Sequence, residues 1–277
     1  RLQSLKTFKK FKFYKLDISN FEDLNKIFKN EKIDVIFNFA AQAGVRYSIL
    51  HPKKYNDYNI VGFFNLIELS RLHNIRKIFY ASSSSVYGEQ KKFPINENSK
   101  LNAKNPYGMS KIINENLAEI LSFTHSVPFI GLRLFTVYGE WGRPDMFMMK
   151  YISSAVKKKI FYLYNFGNHK RDFTYIGDVI FFLEKLMKKN IKDNFSILNI
   201  SSSKPYKLQK VMNEINLFIK KPKIIKSKRD SADVLNTHGS NKKLMKIVGK
   251  HKFTTLKIGV RNLCFWYKNY YKLNKIK

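Results

Sequence analysis

The chain has 277 residues, 44% of them apolar, and carries 52 Lys and Arg against 20 Asp and Glu, a formal net charge of +32. That size suits one large domain or two small ones with a substantial core, and no run nears the roughly 20 apolar residues of a membrane helix. A single cysteine, Cys264, excludes an internal disulfide framework and fits a reducing, cytoplasmic setting. The charge admits a polyanion partner. However, the lysines are scattered among abundant Asn, Ile, Phe and Tyr, with no zinc-finger spacing or RNA-binding signature. Compositional bias is the simpler reading, so neither a specific nucleic-acid partner nor membrane insertion is expected. A basic nucleic-acid-binding protein stands as the alternative of a different class.

In chain order, the opening residues form a helix remnant, followed by a strand at Phe13 to Ile18 that contains Asp17. Ile33 to Phe39 is a compact strand run, Pro52 to Leu72 has helical periodicity, and Ile75 to Ala81 is a further strand. A helix is predicted over Asn105 to Phe123 and a strand over Phe129 to Phe135. Alternation of this kind predicts an α/β fold with parallel strands and crossover helices. Beyond Val137 the pattern loosens. Tyr138 to Pro144 is a turn-rich loop, Met146 to Lys158 a helix and Ile160 to Asn165 extended. Helices are predicted over Gly177 to Lys188 and Lys207 to Phe218, with a strand at Ser196 to Ile200 between them. Lys220 to Ser231 is basic and irregular, and Thr254 to Tyr271 is an aromatic-rich helix.

The chemistry centres on Tyr107 and Lys111 in Asn-Pro-Tyr-Gly-Met-Ser-Lys. At i and i+4 the two share a helix face, and Pro106 marks the helix start. An ammonium and a helix N-terminus both lower a phenol pKa, which would make Tyr107 a base for a hydroxyl proton. The spacing alone is weak, because Tyr87–Lys91, Tyr206–Lys210 and Tyr271–Lys275 match it too. Context separates them. Only Tyr107 opens a helix after a strand that ends in serines, Ser82 to Ser85. Hydroxyls at a strand's C-terminal end face the crevice where such sheets bind ligands.

Tyr80 to Gly88 (YASSSSVYG), Asn105 to Lys111 (NPYGMSK), Gly131 to Met146 (GLRLFTVYGEWGRPDM) and Arg171 to Asp178 (RDFTYIGD) together resemble the extended short-chain dehydrogenase/reductase family. With Ala40 to Ser48 (AAQAGVRYS) and Asn59 to Glu68 (NIVGFFNLIE), the pattern is most similar to UDP-glucuronate 4-epimerases. The resemblance implies a Rossmann-like doubly wound parallel sheet over residues 1–137, truncated at its N-terminus. It further implies a smaller substrate-binding lobe over 138–277, with some segments returning to the first domain. It implies NAD as cofactor, a UDP-sugar as substrate, and a homodimer formed through the helix that carries Tyr107.

By similarity, Tyr107 is the base, Lys111 tunes it and holds the nicotinamide ribose, and Ser83 is the catalytic hydroxyl. Asp17 and Ile18 flank adenine, Ala40, Ala41 and Gln42 line the cofactor crevice, and Asn59 lies near it. Ser84, Ser85 and Thr136 face the sugar. Arg143 and Arg171 match positions beside the diphosphate, where a guanidinium fork suits phosphate, and Asp233 matches one near the nucleotide ribose. Each has a plainer reading. The arginines could be surface charges, Asp17 a turn cap, Asn59 a partner for a helix kink, and Thr136 an ordinary strand end.

Ser84 and Ser85 stand where the related 4,6-dehydratases carry an Asp-Glu pair. The related decarboxylases usually carry a Glu at the place of Ser85. Two hydroxyls suit binding a carboxylate without eliminating water or driving its loss. The reaction so implied is C4 epimerisation of UDP-glucuronate to UDP-galacturonate through a 4-keto sugar, serving surface polysaccharide synthesis. A UDP-glucose epimerase is the alternative. The sequence departs from the family in having no Gly-x-x-Gly-x-x-Gly loop, in Asn38 where His is commoner and in Gly177 where Asp is commoner. The missing loop implies several dozen further residues upstream, and weak NAD binding without them.

Overall fold

A computed structural model describes residues 1–124, 127–191, 193–228 and 233–273. In chain order its strands are β1 (Val35–Asn38), β2 (Lys77–Ser83), β3 (Phe129–Leu134), β4 (Thr136–Tyr138), β5 (Phe161–Tyr164), β6 (Lys170–Tyr175), β7 (Phe195–Ile200), β8 (Pro205–Lys207) and β9 (Ile224–Ser227). The helices are α1 (Leu2–Leu5), α2 (Phe21–Asn30), α3 (Val45–Leu50), α4 (Pro52–Tyr55), α5 (Gly62–Leu72), α6 (Pro106–Ser122), α7 (Phe147–Val156), α8 (Ile176–Lys188), α9 (Leu208–Asn216), α10 (Lys242–Val248) and α11 (Leu256–Tyr270). No helix among the described residues is long and apolar enough to cross a membrane.

The central sheet has the order β1-β2-β3-β7, every pair parallel. Successive strand residues point to opposite faces. Ile78, Tyr80, Phe129 and Ile197 pack under α2, α5 and α6 on one side. Phe79, Ile130, Leu132 and Leu198 pack under α8 and α10 on the other. With both faces covered the strands are mostly apolar, as parallel sheets require, and their polar side chains Ser82, Arg133 and Asn199 are buried and hydrogen-bonded. Gly131 is needed here, because a Cβ at that position would lie 2.6 Å from the hydroxyl of Tyr80. This is a Rossmann-like α/β fold. A second core joins Tyr138, Tyr151 and Ile152 with Phe161, Phe173, Val211 and Leu263. It lies among α7, α9, α11 and the smaller sheets β4-β6-β8 and β5-β9.

Three sequence expectations change. Phe13 to Ile18 forms no strand among the described residues. Phe13 and Tyr14 are exposed, and no neighbour supplies a ladder to satisfy the backbone. The single helix expected over Pro52 to Leu72 is interrupted by a π-helical turn at Asn56–Val61. Within the stretch read as irregular, Ile224–Ser227 is a strand because β5 pairs with it, while residues 229–231 lie outside the described set.

Candidate active site

β2 ends at Ser83 and turns at once. The Ser83 hydroxyl accepts a hydrogen bond from the Ser85 amide at 3.1 Å, closing a short 3-10 turn over Ser84–Val86. The chain then needs Gly88. Its φ is +59°, and a Cβ there would sit 1.9 Å from the carbonyl oxygen of Asn102. Asn105 caps α6 by accepting from the Gly108 amide at 2.9 Å, with Pro106 in the first turn. Gly108 lets the helix start abut the serine turn, since a Cβ there would be 2.7 Å from the Ser85 carbonyl oxygen. This close approach brings Tyr107 over the end of β2.

Tyr107 is half-buried, its ring edge-on to Tyr55 with 6.1 Å between centroids. Burial raises its pKa, while the hydroxyl of Ser83 and the charge of Arg143 oppose that rise. Lys111 is 4% exposed. Burial pushes its pKa down to about 8, opposed by the charge of Glu115. The expected lowering of the phenol pKa by Lys111 is therefore not found in the protein alone. Desolvation outweighs it, and the cation acting on Tyr107 is Arg143.

Asn59 sits fully buried in the π-helical turn. Its Oδ1 accepts from the Gln42 amide at 2.7 Å, and its Nδ2 donates to the Gln42 carbonyl at 3.0 Å and to Ser110 Oγ at 2.9 Å. Ser110 in turn donates to the Tyr107 carbonyl. Asn59 thus fastens the loop after β1 to the helix that carries Tyr107. Its side-chain partners lie in that loop and on α6, not in the backbone of the π-helical turn that the plainer reading had it satisfy. Tyr55 donates to the carbonyls of Ala43 and Gly44 in the same loop. Ala40 and Ala41 lie exposed at the C-terminal end of β1, and Ala40 donates its amide to Asn38.

The remaining predicted residues divide. Thr136 and Arg143 line one small cavity of about 20 Å³. Arg143 forms a two-pronged ion pair with Asp145, and its charge also reaches Tyr55. Asp17 accepts from the amide and hydroxyl of Ser19, a turn cap as in the plainer reading, and Ile18 packs against Gly62. Arg171 donates to the carbonyls of Val234 and Leu235. Asp233 pairs with Arg46 at 2.6 Å, and the Arg46 guanidinium lies 3.8 Å from the Tyr164 ring centroid. Ser83, Tyr107, Lys111, Asn59, Gln42 and Arg143 therefore converge at the C-terminal ends of β1 and β2, while Arg171 and Asp233 organise the 233–235 segment across from α3.

Sequence reasoning missed Arg46, Tyr55, Ser110, Glu115 and Arg133. Arg46, Ser110 and Arg133 lie within the quoted motifs with nothing local to mark their partners, whereas Glu115 left a spacing signal, at i+4 from Lys111 and i+8 from Tyr107. A broad cleft of about 1050 Å³ opens elsewhere, beside Lys12, Glu31, Val35, Lys77 and Lys189. It lies where β1 and β2 begin, the end of the sheet opposite Tyr107.

A parallel doubly wound sheet with a tyrosine–lysine helix at its C-terminal edge defines a nucleotide-cofactor enzyme of the short-chain dehydrogenase/reductase class. Residues 1–214 match the NAD dependent epimerase/dehydratase family, and the chain belongs to it. It is 37% identical to protein CapI of Staphylococcus aureus, covering 95% of this chain and 84% of that one. It is 32% identical to a UDP-glucuronate 4-epimerase of Thermodesulfobacterium geofontis, covering 99% and 85%. A solved UDP-glucuronic acid 4-epimerase from Bacillus cereus, in complex with UDP-glucuronic acid and NAD, superposes with a TM-score of 0.90 at 27% identity, covering 98% of this chain and 85% of that one.

The cofactor of this family is NAD. The residues present fit its nicotinamide end. Lys111 is a buried cation with no side-chain hydrogen-bond partner among the described residues, one turn from Tyr107.

Proposed function

We propose that the protein interconverts UDP-glucuronate and UDP-galacturonate at C4. The observation that carries the reading is the end of β2, where Ser83 meets Tyr107 and is followed by Ser84 and Ser85 with no carboxylate between them. Hydroxyls there bind the sugar and its carboxylate, and offer no acid–base pair for eliminating water. Lys111 and Tyr107 hold the nicotinamide ribose, Asn59 fixes the Gln42 loop beside it, and Asp17 and Ile18 flank the adenine. Thr136 faces the sugar, Arg143 and Arg171 the diphosphate, and Asp233 the nucleotide ribose. Residues 1–137 form the cofactor side and 138–277 mainly the substrate side, with β7, α8 and α10 packing back into the central sheet.

Bound NAD supplies the acceptor and donor of hydride at C4. Tyr107 takes the C4 hydroxyl proton, with Ser83 sharing the hydrogen bond to that oxygen, and the same phenol returns the proton after the 4-keto sugar has turned over. Arg143 lies close enough to favour the phenolate when the proton leaves. The product would supply galacturonate for surface polysaccharide, made in the cytoplasm. A homodimer fits the apolar residues that α5 and α6 leave exposed, among them Phe64, Leu72, Met109 and Ile120, with Phe123 just past the end of α6.

The test is product formation from UDP-glucuronate and NAD, followed by proton NMR, with Tyr107→Phe alongside and UDP-glucose as competitor. UDP-galacturonate from the parent and none from the variant is the expected result. Turnover of UDP-glucose in preference moves the assignment to that sugar. No turnover of either by a folded, NAD-binding chain overturns the proposal.

A further inference from the structure

Tyr107, Lys111 and Glu115 follow one another at four-residue intervals on α6, so they form one stripe facing the sheet. Glu115 is about 12 Å along the helix axis from Tyr107, too far for the two side chains to be hydrogen-bonded to each other. It is nevertheless among the most heavily engaged side chains of the protein. Arg133 of β3 grips it with two hydrogen bonds, Nε to Oε1 at 2.9 Å and Nη2 to Oε2 at 2.7 Å. The two side chains are 5% and 4% exposed. Ser82 of β2, the neighbour of Ser83, donates its hydroxyl to the same carboxylate. The remaining Arg133 nitrogen, Nη1, donates to the Tyr87 hydroxyl and the Glu97 carbonyl, both at 2.9 Å. Tyr87 passes the connection to Asn199 of β7 at 2.6 Å.

We infer that Glu115 is a positioning residue for the tyrosine–lysine pair. It acts through Lys111, one turn before it, and is itself held by Arg133. This rests on the tyrosine–lysine reading of the site. The carboxylate does two things at once. It locks the rotation of α6 against β2 and β3, so Tyr107 and Ser83 keep their mutual distance. It also places a negative charge beside a buried ammonium that has no hydrogen-bond partner among the described residues.

The titratable groups along this stripe are Tyr107, Glu115 and Glu119 on α6, Tyr55 of α4 beside Tyr107, and Tyr80 of β2 and Arg133 of β3 beside Glu115, with Arg143 facing Tyr107 from its loop. Of these, Glu115 is the one whose charge acts on Lys111 and favours its protonated form. Burial works against charge on Arg133 as well, but the hydrogen bonds and charge of Glu115 outweigh it and raise that pKa. Arg133 therefore stays charged, and Glu115 keeps a fixed partner.

The decisive variant is the double substitution E115Q/R133M. It removes both members of the clamp and leaves no unpaired buried guanidinium to unfold the chain. The ionisation of Lys111 is read from its ¹³Cε NMR signal in lysine-labelled protein, identified by its loss in Lys111→Met. This readout is independent of whether the protein turns over any sugar. In the folded double variant the Lys111 pKa is expected to fall by about one unit or more, and the alkaline limb of kcat to move down with it, about tenfold at a fixed alkaline pH per unit. Arg133→Met alone, where it folds, breaks the clamp but keeps the Glu115 charge, so the Lys111 pKa should hold or rise. A Lys111 signal that titrates at the parental pH in the double variant, or that falls equally in both, overturns the inference and leaves the epimerase reading intact.

Discussion

Lys111 and Arg133 are both buried cations beside Glu115, yet they live in opposite states. Arg133 has carboxylate, phenol and carbonyl partners for its guanidinium, and its pKa is raised. Lys111 has no side-chain hydrogen-bond partner among the described residues, and its pKa falls to about 8. A saturated cation is part of the architecture. An unsaturated one is costly to fold and open to a ligand, which suits the role proposed for Lys111 beside a ribose and a phenolate. The exposed pair Arg143–Asp145 is a third case, in which solvent screens both charges and the partner is exchangeable.

The largest expected effect comes from breaking the saturated case. Arg133→Met strands a buried carboxylate and should cost ~3–5 kcal/mol of stability, read from urea unfolding. Lys111→Met should do the reverse. Its folded pKa lies below the ordinary 10.5, so between about pH 8 and 10.5 the unfolded chain binds the extra proton and stability of the parent rises with pH. The variant should therefore be more stable than the parent by on the order of 3 kcal/mol at pH 7. That advantage should shrink through this window and vanish above it, while activity is lost throughout. A gain that is flat with pH would place its origin in packing instead.

Asn59→Ala removes three buried hydrogen bonds that join the Gln42 loop to α6. A loss of ~2–4 kcal/mol is expected, with faster hydrogen exchange at Gln42 as its local mark. The smallest effect belongs to Asp145→Asn. Stability should stay within about 0.5 kcal/mol, while UDP, measured by titration calorimetry, binds more tightly because Arg143 no longer has a competing carboxylate. Weaker UDP binding would show that Asp145 orients the arginine rather than competing for it.

Much of this was legible in the sequence where the local signal and the tertiary demand coincide. Ile75 to Ala81 and Phe129 to Phe135 announce themselves as apolar β runs because both faces of the sheet are covered. Asn105, Pro106 and the Tyr107–Lys111 spacing mark α6 because capping and face-sharing are local properties. Phe13 to Ile18 carries an equally good β pattern and forms no strand, since a ladder needs a neighbour that pattern cannot supply. β6, β8 and β9 were missed for the complementary reason. They are short segments made extended by the strands beside them. In the protein alone the phenol pKa moves opposite to the direction the helix spacing suggests, because spacing reports which charges are near and says nothing about how far water has been excluded.

The same stripe of α6 limits how this protein can change by descent. Tyr107, Lys111 and Glu115, proposed to serve proton transfer, cofactor contact and the grip on the sheet, sit on one rigid rod at intervals of four residues. Insertion of a single residue between Tyr107 and Glu115 would turn everything beyond it by about 100°, pulling the carboxylate off Arg133 or the phenol off Ser83. Surface loops tolerate such changes of length. This helix segment does not, so it should be the stretch where insertions and deletions are never tolerated.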